Sequence, residues 1–321
     1  MRVAVLSGGR SSEHEVSLRS GAAVAGGLRA AGHQVIGVTI GRGGEWSHAA
    51  GGIELVPAAG LLGVDVAFPA LHGPFGEDGS IQGMLEWLDL PYVGSDVLAS
   101  AVCMDKLTLK RLFAAAGVPQ VDFTAVEGPD WRLRCERLGL PLWVKPSRLG
   151  SSVGITRVDD LGQLDEAAKL ALRHDPRVIV EASARGREVE CSVLGNEEPE
   201  TSLPGEIVAH AEWYDFEAKY TEGGMELRVP APLDEPATAR VRELAASVFA
   251  LAGCSGLARC DFFVEPDGQV LVNEINTMPG FTETSVYAKL WEASGIPYPD
   301  LCDRLVQLAV ERHRRARSFE F

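Results

Sequence analysis

Between residues 258 and 280 the chain sets Arg259, Asp261, Glu274 and Asn276 in two apolar runs, separated by Glu265-Pro266-Asp267-Gly268. Asp-Gly between such runs is a hairpin signal. Pairing the runs across that turn brings Asp261 near Glu274 and Asn276. Residues two apart on a strand share a face, so Glu274 lies beside Asn276 and Arg259 beside Asp261. Two carboxylates and an amide oxygen on one surface make a hard-oxygen set suited to Mg2+, an ion that also takes water and substrate phosphates. The plainer alternative is a solvated outer face of an antiparallel pair. Asn and Asp are disfavoured inside strands, which favours a metal–phosphate site.

Other stretches carry weaker chemistry. Lys145 stands in the apolar run Leu142-Trp143-Val144-Lys145-Pro146, where a charge is costly without a partner. The following residues, 147–155, are rich in Gly and Ser and can offer backbone N–H groups to phosphate oxygens. They lack the GKS or GKT of a Walker P-loop, and a simple hairpin turn explains them equally. His72-Gly73-Pro74-Phe75-Gly76-Glu77-Asp78-Gly79 directly follows a strand, as ligand loops do at the carboxyl edge of an α/β sheet. His72 by itself reads first as a structural hydrogen-bonder. Ser12-x-x-Glu15 matches a helix capping box, and the helix start it marks suits a ligand carboxylate. Lys106 lies on a predicted helix, where a surface lysine is the ordinary reading. Residues 213–224, Trp-Tyr-Asp-Phe-Glu-Ala-Lys-Tyr-Thr-Glu-Gly-Gly, fit a loop that orders over a ligand.

These groups need elements to hold them. Residues 2–6 read as a buried strand, 16–31 as a helix ending at Gly32, and 35–40 as a second strand. Strand, Gly-rich turn and helix open a doubly wound unit. A dinucleotide site fails on two counts: the glycines do not make GxGxxG, and no acid ends the second strand. Further strands are expected at 64–71, 140–146, 177–181 and 188–194, and helices at 100–116, 236–252 and 298–317. The basic end of the last helix suits its dipole.

The chain has 321 residues, 46% hydrophobic and 23% charged, which predicts two or three ordinary globular domains. A net charge of −15 argues against nucleic acid or an anionic membrane as partner. Six cysteines without CxxC spacing read as reduced thiols, and with no signal peptide or membrane-length apolar run the expected location is the cytoplasm.

In order and over nearly its whole length the chain resembles the D-alanine–D-alanine ligases of the ATP-grasp superfamily. The matching landmarks are residues 8–17, 72–79, Met104-Asp105-Lys106, 144–154, Glu217-Ala218-Lys219-Tyr220, Arg259-x-Asp261, and 273–285. The resemblance implies an α/β fold, α+β in its ATP-binding part, with a doubly wound N-terminal domain over 1–100, a central ATP-grasp domain over 101–187 and a C-terminal one over 188–321. It implies ATP bound by Lys106, Lys145, Ser151, Ser152, Lys219, Glu181, Glu188, Trp213, Phe263, Asn273 and Glu274. Asp261, Glu274 and Asn276 would hold two Mg2+ ions, for which Mn2+ could substitute. Glu15, linked to Ser151 and Tyr220, would take the ammonium of the first D-alanine. Ser285, with Val286, would receive the carboxylate of the second, His72 would line the substrate site, and Arg259 and Gly280 would stabilise an oxyanion. The implied partners are small substrates and a second copy of the chain, a homodimer joined through the N-terminal domain.

Departures are few: Ala288 stands where the family often has Pro, Val286 where Met or Leu is usual, and Ser183 where some relatives carry Trp. Tyr220 favours the dipeptide over an ester product. The rival readings are a ligase with D-lactate or D-serine as acceptor and a non-catalytic nucleotide-binding scaffold. The retained lysines and metal set disfavour the second rival.

Overall fold

The computed structural model describes residues 1–150, 153–209 and 225–320. Its first sheet comprises β1 (Arg2–Gly8), β2 (Gln34–Ile40), β3 (Trp46–His48), β4 (Gly51–Gly52) and β5 (Val66–Pro69), in the order β4-β3-β2-β1-β5. β1 is parallel to β2 and β5, and the short β3 and β4 add antiparallel edges. Helix α1 (His14–Ala30) makes the crossover from β1 to β2, and α2 (Ser80–Trp87) covers the opposite face, with Ile81 and Leu85 in the core under β1, β2 and β5. Parallel strands buried on both faces read as continuous apolar runs, which is why 2–6 and 64–71 are legible in sequence.

The expected single helix over 100–116 is two helices, α3 (Val97–Met104) and α4 (Lys106–Ala115). Asp105 between them is extended, at φ −92° and ψ 96°, and its carboxylate accepts the Thr108 N–H as the N-cap of α4. The break makes Lys106 the first residue of a new helix. Leu109 and Phe113, one turn apart, join the core beneath the C-terminal sheet. Lys106 and Lys110 form a second one-turn pair on the same helix.

A four-stranded antiparallel sheet follows, ordered β6-β9-β7-β8: β6 (Phe123–Ala125), β7 (Leu142–Pro146), β8 (Thr156–Val158) and β9 (Val178–Ala182). It is backed by α5 (Trp131–Leu138) and α6 (Leu164–Leu172). The larger antiparallel sheet holds β10 (Arg187–Gly195), β11 (Glu200–Thr201), β12 (Gly205–Ala209), β13 (Met225–Arg228), β14 (Gly256–Val264) and β15 (Val270–Asn276). Its order is β13-β12-β10-β14-β15, with β11 against β10. Helix α7 (Glu235–Leu251) starts at the Asp234 cap and packs against β10, β14 and β15.

The last elements are α8 (Val286–Ala293) and α9 (Tyr298–Ala316). α9 bridges the C-terminal sheet and the first sheet, sharing a core with Leu194 of β10 and Leu257 of β14. Its Leu301, Cys302, Leu305 and Val306 share one core with Val24 and Leu28 of α1 and Val66 and Phe68 of β5. The chain's end thus closes one face of the first sheet, and His33 is tied to Asp303 at 2.8 Å.

Candidate active site

The hairpin pairs as the turn signal predicts. Asp261 stands opposite Glu274 on β15 and Glu190 on β10; Arg259 stands opposite Asn276 and Ser192, and Phe263 opposite Glu188. Alternation along each strand puts these side chains on one face. Between Asp261 and Phe262 the register slips, because Phe262 pairs with Val272 and leaves Asn273 as an extra residue. The bulge turns Asn273 and Glu274 out together: both are half-buried, whereas Val272 and Ile275 beside them are buried.

Polar contacts lock this face. Arg259 donates from Nε and Nη2 to the two Asp261 oxygens, each at 2.8 Å, and lies 3.0 Å from Glu190 Oε2. Asn276 Nδ2 donates to Asp261 Oδ2 at 2.9 Å. Lys106 Nζ sits 3.2 Å from Glu274 Oε2 and donates to the Leu149 carbonyl at 3.0 Å. Burial works against both cations, but the facing carboxylates outweigh it. Asp261 and Glu190 raise Arg259 well above its usual value, and Glu274 raises Lys106. Among the described residues no group of three or more His, Cys, Asp or Glu side chains is arranged to hold a metal. Asp261, Glu274 and the Asn276 amide are two carboxylates and one neutral group, a donor set that fits a divalent ion completing its shell with phosphate oxygens and water.

Across from this sheet, Glu181 on β9 is buried and takes two lysines: Lys145 Nζ at 2.6 Å on Oε2 and Lys110 Nζ at 3.3 Å on Oε1. Burial alone would raise the Glu181 carboxyl, and the two ammonium groups hold it instead at about 2. Glu181 thus has both carboxylate oxygens engaged by lysines. Lys110 has no signal in the sequence beyond its one-turn spacing from Lys106.

The N-terminal domain contributes a different acid from the one expected. Glu15 is exposed and pairs with Arg42 at 2.9 Å. The capping box does not form, since α1 begins at His14 with Glu13 at its N-cap and without a side-chain cap bond. Two residues on a helix are about 200° apart, so Glu13 and Glu15 point to opposite sides, and Glu13 is the inward one. It is buried, and a Cβ on Gly73 would come within 2.5 Å of its Oε2 and one on Gly150 within 3.7 Å. Gly73, at φ +72°, leaves the room that Glu13 needs. Glu77 accepts the Gly73 N–H at 2.6 Å, and burial together with the Glu13 charge pushes its carboxyl up to about 8.

His72 is a clamp. One ring nitrogen lies 2.8 Å from Ser20 Oγ and the other 3.0 Å from the Met278 carbonyl, joining α1 to the 277–280 segment. Both ring nitrogens are spent on the protein. Burial lowers its pKa and keeps it neutral. At the far end Ser285 is the N-cap of α8; its Oγ accepts the Thr282 N–H at 2.9 Å and would lie 3.4 Å from a Cβ on Gly280. Ser285 and Gly280 are thus neighbours at a helix N-terminus, where backbone N–H groups suit a carboxylate. Val286 is buried against Ile207 and Leu290, so only its main chain is available there. Ser151, Ser152, Trp213, Lys219 and Tyr220 lie outside the described residues.

Two family models match the chain, "D-ala D-ala ligase N-terminus" over residues 2–58 and 55–95 and "D-ala D-ala ligase C-terminus" over residues 112–307. The D-alanine–D-alanine ligase of Solibacter usitatus is 46% identical over all of this chain and 99% of its own length. That of Geobacillus kaustophilus is 42% identical over all of this chain and 97% of its own. Among solved structures, the D-alanine–D-alanine ligase of Coxiella burnetii superposes with a TM-score of 0.89 at 38% identity, covering 99% of this chain and 96% of that one. The VanG D-Ala:D-Ser ligase of Enterococcus faecalis superposes with a TM-score of 0.87 at 35% identity, covering 96% and 99%. With both models matched and full-length relatives this similar, the chain belongs to the D-alanine–D-alanine ligase family and has its ATP-grasp fold.

Proposed function

We propose that the protein joins two D-alanines into D-alanyl-D-alanine at the expense of ATP, through an acyl phosphate, for peptidoglycan precursor synthesis. The observation that carries this reading is the Asp261–Glu274 pair in register across the hairpin, with Lys106 Nζ 3.2 Å from Glu274. It is a place for phosphates and a divalent ion at the meeting of the domains. The ion is Mg2+ in two copies, with Mn2+ as a substitute; when bound, it neutralises charge on the transferring phosphoryl group.

The residues divide the work as follows. Lys106 and Lys145 bind phosphate oxygens and, with the 150–154 backbone, align the γ-phosphoryl group with the carboxylate of the first D-alanine. Glu188, Phe263 and Asn273 line the nucleotide's side of the sheet, and by family resemblance Ser151, Ser152, Trp213 and Lys219 join them. Glu13, in place of Glu15, takes the ammonium of the first D-alanine, assisted by Ser151 and Tyr220. The amine of the second D-alanine attacks the acyl carbon, and Arg259 and the Gly280 N–H stabilise the oxyanion of the tetrahedral intermediate. The intermediate's C–O bond to the phosphoryl group then breaks to release phosphate as the nitrogen loses a proton. Ser285 and the first turn of α8 receive the carboxylate of the second D-alanine. The 213–224 segment excludes water, which would hydrolyse the acyl phosphate.

The remaining proposals are a homodimer, a cytoplasmic location, and three domains over 1–100, 101–187 and 188–321, with α9 packed on the first. No helix among the described residues is long and apolar enough to cross a membrane. D-Serine as acceptor is the second reading, supported by the likeness to a D-Ala:D-Ser ligase. The test is phosphate release from ATP and Mg2+ with D-alanine, L-alanine as control, mass detection of product, and D-serine and D-lactate as competing acceptors. Dipeptide formed only with D-alanine supports the first reading; preferential D-alanyl-D-serine would replace it with the second.

A further inference from the structure

We infer that Lys110 is a positioning residue for ATP: it neutralises Glu181, so that the charge of Lys145 remains available to the nucleotide. The inference rests on the proposed ATP site and adds a residue to it.

Lys110 is 1% exposed and Glu181 2% exposed. Taking an ammonium and a carboxylate out of water costs several kcal/mol per ion, and a buried ion pair is often no more stable than an apolar pair of the same size. Fold stability alone therefore gives a poor reason for a lysine at this point of α4, which already anchors itself through Leu109 and Phe113. Nor is the ammonium well bonded. Among the described residues its Nζ has no hydrogen bond of good geometry, only the 3.3 Å approach to Glu181 Oε1 and a 6.0 Å approach to the Phe123 ring.

The geometry divides one carboxylate between two lysines of different exposure. Lys110, from α4, takes Oε1 from inside, and Lys145, from β7, takes Oε2 and is the more exposed of the two. Counted together the three groups carry one net positive charge. Without Lys110, Glu181 and Lys145 would form a closed neutral pair at 2.6 Å, and pulling Lys145 toward a phosphate would uncover a buried carboxylate. Lys106 stands one helical turn before Lys110 and reaches Glu274. One helix face thus serves both the metal-binding hairpin and the lysine over the central sheet.

The test is ATP affinity by titration calorimetry with Mg2+, alongside KM for ATP, KM for D-alanine and kcat, on Lys110→Met, Lys145→Ala, Glu181→Gln and the double variant Lys110→Met/Glu181→Gln. Lys145→Ala should weaken ATP binding. Lys110→Met should weaken it on the order of tenfold, the loss of one charge-assisted contact, with KM for D-alanine unchanged. The double variant should recover most of that loss, because the uncompensated carboxylate is gone. Lys110→Gln, which keeps a hydrogen-bond donor, should repeat the ATP loss if the methionine variant does not fold. Normal ATP affinity in both Lys110 variants beside a weakened Lys145→Ala would overturn the proposal alone, as would a double variant no better than Lys110→Met. Normal affinity in Lys145→Ala would overturn the ATP-site reading beneath it.

Discussion

The sharpest test of the site contrasts two glutamates two residues apart. Glu13 is buried against the Gly73 and Gly150 loops, whereas Glu15 is exposed beside Arg42. If Glu13 receives a substrate ammonium, Glu13→Gln replaces a charge-assisted bond with a neutral one. Hydrogen bonds to charged groups are worth about 1.5–3 kcal/mol and neutral ones about 0.5–1.5 kcal/mol, and the difference of about 1–1.5 kcal/mol corresponds to a loss of about 5- to 13-fold in kcat/KM for D-alanine. Glu15→Gln removes only a surface ion pair, and activity should stay within about twofold. Stability should move differently. Glu13 and Glu77 repel each other, and removing the Glu13 charge relieves the Glu77 carboxyl, now pushed up to about 8. Glu13→Gln should therefore lose activity while its stability falls less steeply than that of wild type as pH rises from 4.5 to 8, a change in pH dependence that misfolding alone does not produce. The assay is coupled ADP release at saturating ATP with D-alanine varied, and a thermal melt of each variant across that pH range. A Glu15→Gln enzyme damaged as much as Glu13→Gln would refute the reasoning and restore Glu15 to the substrate.

Three further outcomes follow from the same geometry. Glu274→Ala removes a carboxylate of the metal set and leaves Lys106 without its 3.2 Å partner; ligation should be abolished, and near-normal turnover at saturating Mg2+ would refute the assignment. Glu77 is an acid whose folded pKa, about 8, lies above the ordinary value of 4.5. Its native form binds more protons than the unfolded chain between those values, so its contribution to stability falls as pH rises from 4.5 to 8. Glu77→Gln should accordingly raise the melting temperature at pH 8.5 and change it little at pH 4, and a gain only at acid pH would contradict the sign. All six cysteines are free and buried, and burial pushes the thiols of Cys191 and Cys302 up to about 12; a thiol reagent should label the folded protein negligibly and the denatured protein at all six positions, as counted by mass.

The hairpin is legible in sequence because everything that makes it is local. Two alternating runs, an Asp-Gly turn and side chains two apart determine which groups share a face, and Asp261 meets Glu274 with no help from elsewhere. The Asn273 bulge is not legible, since one extra residue changes register without changing the apolar pattern. The break at Asp105 could have been read: Asp three residues before Thr108 is a cap signal inside a long apolar stretch. Glu13 and Lys110 are hidden for another reason. Periodicity places a charged residue on a helix but not what the helix faces, and each of these faces a segment distant in sequence, the 73 and 150 loops for Glu13 and β9 for Lys110. The same holds for His72, whose partners Ser20 and Met278 come from opposite ends of the chain. Glu15 shows where a motif and a resemblance stop short. The S-x-x-E spacing supplied a reason for Glu15 to be near a helix start, and it was silent on which of two acids the start would turn inward. Because α1 begins at His14, the inward position goes to the residue that precedes the helix, and the motif's own acid is left in solvent.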